Sequence, residues 1–115
     1  RFPNLYQDLA RNGAEIITVP SAFSNVTGPC HWHTLLKARA IETGSFIIAP
    51  AQTGKHQCGR TTFGHSLIIS PWGKVLVDGK KKVGVVYAKI NLEEVTMARQ
   101  AIPNLSINKE YSTNT

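Results

Sequence analysis

Hydrophobic positions change their period several times along this chain, and each change marks an element. Between Pro3 and Gly13, Leu5, Leu9 and Ala10 recur at helical spacing. The proline suits a first helical turn, where a missing N–H costs nothing, and the glycine suits a stop. The β-branched run Ile16, Ile17, Thr18 and Val19 predicts a strand ended by Pro20. A second helix is predicted from Pro29 to Thr43, with Gly44 after it. Its apolar positions Trp32, Leu35, Leu36, Ala38, Ala40 and Ile41 span an arc broader than one core-facing stripe. This helix is therefore expected to be covered on more than one side, by a second layer or a second subunit.

The stretch "SFIIAPA" reads as a strand buried on both faces. The polar stretch "QTGKHQCGRTT" reads as a loop leading to a third strand, "HSLIIS". In "SPWG" a proline at the second turn position and a glycine at the fourth predict a tight turn, and "KVLVD" completes the hairpin. "VGVVYAKI" reads as a last strand. Asn91 is expected to cap a final helix, with Glu94 as its capping-box acid and Pro103 as its end. The expectation is an α/β fold of four or five strands layered with helices. It forms one unit over residues 1–105, with a polar tail, 106–115, that frays unless a partner holds it.

Composition narrows the classes. A hydrophobic content of 42% and a charged content of 17% are those of a globular chain. No apolar run approaches the ~20 residues of a membrane span. Nothing reads as a secretory leader, and two cysteines are too few for a disulfide framework, so a cytoplasmic setting is expected. The net charge of +6 is spread along the chain, and its only run, Lys80–Lys82, follows an Asp-Gly turn signal. A solvated hairpin tip accounts for that run, so no nucleic-acid partner is expected.

Candidate chemistry concentrates in "PCHWH". Cys30 and His31 open the second helix, where a helix N-terminus depresses a thiol pKa; a small filler in the first turn explains Cys30 equally well. Cys30, His31, His33, His56, Cys58 and His65 carry enough nitrogen and sulfur for zinc. Their spacing matches no paired-ligand motif, and His31 and His33 point ~200° apart on a helix, so no metal and no cofactor are expected. Arg39 and Glu42 read as a surface i, i+3 pair, and His65 as a hydrogen-bonded structural histidine.

Four long stretches together carry a resemblance: "RFPNLYQDLARNGAEIITVPSAF", "TGPCHWHTLLKARAIETGSFIIAPAQTG", "GRTTFGHSLIISPWGKVLVDG" and "GVVYAKINLEEVTMARQAIPNL". Over residues 1 to about 105 the chain resembles the C-terminal half of the nitrilase superfamily, the carbon–nitrogen hydrolases. The resemblance implies half of a four-layer α-β-β-α sandwich, pairing across helices into a homodimer. It also implies Glu-Lys-Cys chemistry on an amide, nitrile or carbamoyl substrate. The nucleophile of that pattern stands just before the position of Arg1, so none of these residues is expected to be catalytic, and the first residue reads as a cut edge. Arg1, Ser21, Phe23 and Thr27 are expected near the substrate. The chain departs from the pattern at His33, where glutamate is usual, and at Ser70, where aspartate is frequent.

The resulting expectation is a fragment of an amidase-type hydrolase, inactive alone, that homo-oligomerises or complements an N-terminal half. The alternatives are a non-catalytic dimeric binding module or a remnant of a decayed gene, and a zinc protein built on the Cys/His set.

Overall fold

The computed structural model describes residues 1–107 and 112; most of the expected tail, residues 106–115, lies outside the described residues. Helix α1 (Pro3–Arg11) leads to strand β1 (Ile16–Thr18), and helix α2 (Gly28–Thr43) to strand β2 (Phe46–Ala49). A small hairpin, β3 (Thr53–Lys55) and β4 (Thr61–Phe63), precedes β5 (Leu67–Ile69) and β6 (Val75–Asp78), and α3 (Glu93–Ala101) comes last. The main sheet has the order β1-β2-β5-β6: β1 and β2 are parallel, joined through α2, and the other neighbours are antiparallel.

Strand alternation divides the apolar residues between two faces. Ile17, Ile47, Ala49, Leu67 and Ile69 face α2, which answers with Trp32, Leu36 and Ala40 at i, i+4 and i+8. These buried residues form the core, and Tyr6 of α1 packs at its margin. Ile16, Phe46, Ile48, Ile68 and Val77 alternate onto the opposite face, in register across the four strands. That face is only partly open: Phe46 and Ile68 are buried while Ile16 is exposed. The molecule is a slab 21 Å thick, room for one helix layer on one sheet layer.

The caps explain the boundaries. Gly44 adopts the left-handed conformation, φ 56°, and closes α2. The "SPWG" turn forms as expected, with Gly73 N–H donating to Ser70 O at 2.8 Å. At α3 the carboxylate beside Asn91 is Glu93, not Glu94: Asn91 Oδ1 accepts from Glu93 N–H at 3.1 Å, and Asn91 Nδ2 donates to Glu93 Oε2 at 3.2 Å. Arg99 then ties α3 to the start of β2. Its guanidinium donates to Ala14 O at 2.6 Å, Ser45 Oγ at 2.9 Å and Thr43 O at 3.1 Å.

Three further expectations are corrected. Residues 83–90 do not pair into the sheet; they run extended, with Val86, Ala88 and Ile90 half-buried and Val85, Tyr87 and Lys89 exposed. The alternation was real, but period two identifies a face and supplies no neighbouring edge. The stretch "QTGKHQCGRTT" is not wholly loop, because Thr53–Lys55 pairs with Thr61–Phe63. Arg39 is no surface residue: it is buried, donates to Glu42 Oε2 at 2.9 Å and lies 5.5 Å above the Tyr6 ring.

Candidate functional site

Two groups of polar side chains flank α2. The first gathers the residues expected near a substrate. Arg1 is held on three sides: its guanidinium lies 3.1 Å from His31 Nδ1, donates to Thr27 Oγ1 at 3.3 Å, and stands 4.9 Å from the centre of the Phe23 ring. Ser21 is placed by the backbone. Its N–H donates to Pro50 O and its C=O accepts from Gln52, continuing the β1–β2 pairing past Pro20. Arg1, Ser21, Phe23, Trp32 and Arg39 line one cavity of about 90 Å³. Ser21 also borders an open groove of about 530 Å³ between the loop after β1, the end of β2 and Lys82–Gly84.

Thr27 touches Arg1 without lining the smaller cavity. Arg1 therefore contacts Phe23, Thr27 and His31, and Ser21 lines the same small cavity as Arg1 and Phe23. An obligate cation over an aromatic ring, next to a hydroxyl, forms a wall suited to a polar or anionic end of a small molecule. Tyr6, on the same wall, has its hydroxyl pKa raised by burial, against a smaller lowering by the Arg39 charge.

The second group centres on Asp78, at the end of β6. Its Oδ1 accepts from the Lys80 N–H at 2.8 Å and from His65 Nδ1 at 3.0 Å. Its Oδ2 accepts from His33 Nε2 at 3.0 Å and from Lys80 Nζ at 3.1 Å. Burial pushes this carboxyl up. The Lys80 N–H, the two imidazoles and the Lys80 ammonium outweigh burial and hold it well below the usual carboxylate range. His65 is hydrogen-bonded, as expected, and it is fixed from several directions. Its C=O accepts from Trp32 Nε1 at 2.8 Å, its ring stacks on Phe63 with centres 4.2 Å apart, and its backbone is left-handed at φ 59°. That conformation costs about 1 kcal/mol in a residue with a Cβ.

His31 and His33 do point to opposite sides of α2, one to Arg1 and one to Asp78. Spacing separated that pair correctly and was blind to Asp78, which only β6 brings within reach of His33 and His65. The available signal was the chance of an acid at the end of a strand predicted to neighbour "HSLIIS". Both cysteines are exposed, Cys30 in the first turn of α2 and Cys58 in the β3–β4 turn. Neither lines the cavity that holds Arg1.

Comparison with known proteins gives the family and the fold. The chain is 50% identical, over 91% of its length, to a protein of a Synechocystis strain named deaminated glutathione amidase, and it spans 39% of that relative. It superposes on the NitFhit protein of C. elegans with a TM-score of 0.90 and 40% identity, covering 95% of this chain and 26% of that one. On Saccharomyces cerevisiae Nit3, described as a member of branch 10 of the nitrilase superfamily, the TM-score is 0.83 with 35% identity, over 90% and 38% of the two chains. A family model for carbon-nitrogen hydrolases matches residues 1–100, so the chain belongs to the carbon-nitrogen hydrolase family.

Proposed function

We propose that these residues form the C-terminal half of an amidase, one sheet-and-helix pair of a four-layer α-β-β-α sandwich, and line one wall of its substrate site. The observation that carries this reading is the convergence of Arg1, Ser21, Phe23 and Trp32 on one cavity in a chain of this family. The chain spans 39% of the length of the Synechocystis amidase.

The reaction needs more than this wall. A thiolate attacks the amide carbon, the tetrahedral oxyanion is stabilised by a cation or N–H groups, and a proton carrier protonates the departing amine; water then cleaves the thioester. In this reading glutamate, lysine and cysteine lie outside the 115 residues, and Arg1 and Ser21 hold the substrate. Deaminated glutathione is the first substrate to test, given the relatives named for it. The protein works in the cytoplasm, as a homo-oligomer or beside a complementing half.

The test compares turnover of deaminated glutathione by the 115-residue chain and by the same chain joined to, or mixed with, an N-terminal half of the family. Turnover only with that half, and a KM raised at least tenfold by Arg1→Ala, is expected. Turnover by the 115 residues alone would overturn the reading. A second reading, a dimeric binding module, draws on the exposed Val83, Val85 and Tyr87. It predicts a stable dimer and no activity in either sample.

A further inference from the structure

His33, His65 and Asp78 come from three separate elements, α2, the segment before β5 and the end of β6, yet their ligand atoms all lie within 4.8 Å of one another. An ionised carboxylate only accepts, so each imidazole nitrogen facing Asp78 carries its proton there. One small volume thus receives two N–H groups and one carboxylate. A divalent cation at that centre would take the nitrogen lone pairs in place of the two protons. We propose that His33 Nε2, His65 Nδ1 and the Asp78 carboxylate form a binding site for a zinc-type transition metal, with one further position open on the Lys80 side.

The geometry favours that ion class. Zn–N and Zn–O bonds of about 2.0–2.2 Å around a tetrahedral centre place ligand atoms roughly 3.3 Å apart. A single carboxylate oxygen, Asp78 Oδ2, lies 3.0 Å from His33 Nε2 and 3.1 Å from His65 Nδ1, within a few tenths of an ångström of that spacing. Two imidazoles select zinc, cobalt, nickel or copper over magnesium and calcium, which prefer all-oxygen sets. The site is also pre-organised. Trp32 and Phe63 hold His65, and His33 is carried by a helix whose neighbouring residue, Trp32, is in the core. Lys80, whose ammonium lies 3.1 Å from Asp78 Oδ2, opposes the metal. Its side chain is 69% exposed, so its ammonium moves into water at little cost once a stronger cation takes the carboxylate.

The site is distinct from the substrate wall, which His31 and Arg1 occupy on the other side of α2. It joins that helix to the β5–β6 hairpin, and a bound metal would brace the two. The inference rests on geometry alone and stands or falls separately from the amidase reading.

The experiment is titration of the metal-free protein with Zn²⁺ by calorimetry and with Co²⁺ by visible absorption. The expected result is one ion per chain and a tetrahedral cobalt spectrum without a thiolate charge-transfer band. His33→Gln keeps an N–H for Asp78 but no ligand nitrogen. It should weaken zinc binding by more than about 100-fold, beyond the loss from a mere supporting residue. Lys80→Ala should tighten it, an effect that a purely structural role for the cluster does not produce. Zinc should also move the ring NMR signals of His33 and His65 and leave those of His31 and His56, a readout independent of any variant. No binding, a thiolate band from Cys30 or Cys58, or an affinity unchanged in His33→Gln would overturn the proposal.

Discussion

Arg99 fastens α3 to the segments that lead into β1 and β2, through groups distant in sequence, so its removal should expose how much that helix contributes. Three N–H groups of one guanidinium reach Ala14 O, Thr43 O and Ser45 Oγ. Hydrogen bonds to a charged donor contribute about 1.5–3 kcal/mol each, but three from one half-buried group are not additive. Ser45 Oγ can donate to Ala14 O or Thr43 O after the change, so one acceptor is rescued. Arg99→Met, which retains the apolar stem, should therefore cost about 3 kcal/mol. Arg99→Lys, which reaches one acceptor at a time, should cost about half of that. At about 4 °C per kcal/mol for a chain of this size, the Met variant should melt about 12 °C lower. Urea unfolding followed by the fluorescence of buried Trp32 measures both losses. A Met variant within 0.5 kcal/mol of the parent, or a Lys variant equal to it, would refute the reasoning.

Gly28→Ala should cost about 1–3 kcal/mol by the same assay, because a methyl at Gly28 would overlap the Phe63 ring and push it from its stack on His65. Tyr6 has a folded pKa above its unfolded value, so its contribution is fully present below pH ~10 and is lost as pH rises further. Stability measured from pH 8 to 11.5 should therefore fall less steeply in Tyr6→Phe; parallel curves would count against the burial argument. Cys30→Ala and Cys58→Ala, which alter exposed thiols away from the Arg1 cavity, should leave the proposed amidase turnover, assayed with the N-terminal half present, within about twofold and stability within ~0.5 kcal/mol. A large loss from either would return that cysteine to the chemistry.

Local rules decided a good deal of this protein. Pro3 and Pro29 in first turns, Gly44 in the left-handed region and the "SPWG" turn each act within a few residues, and the two helices and the turn that they mark formed where the pattern placed them. The α/β class and the core stripe Trp32, Leu36 and Ala40 follow from the same short-range periodicity. Those long ordered segments also determined the family. What periodicity does not contain is which edge a strand meets. Residues 83–90 alternate like a strand and pair with none among the described residues, whereas the polar Thr53–Lys55 pairs with Thr61–Phe63 because a short turn brings them together. Both polar groups were decided by the tertiary structure. Arg1 meets Thr27 and His31 across some thirty residues, and Asp78 meets His33 across forty-five, because the sheet sets β6 beside β5 under the N-terminal end of α2. A side chain's partners depend on the packing of whole elements, and no local window of the chain records that.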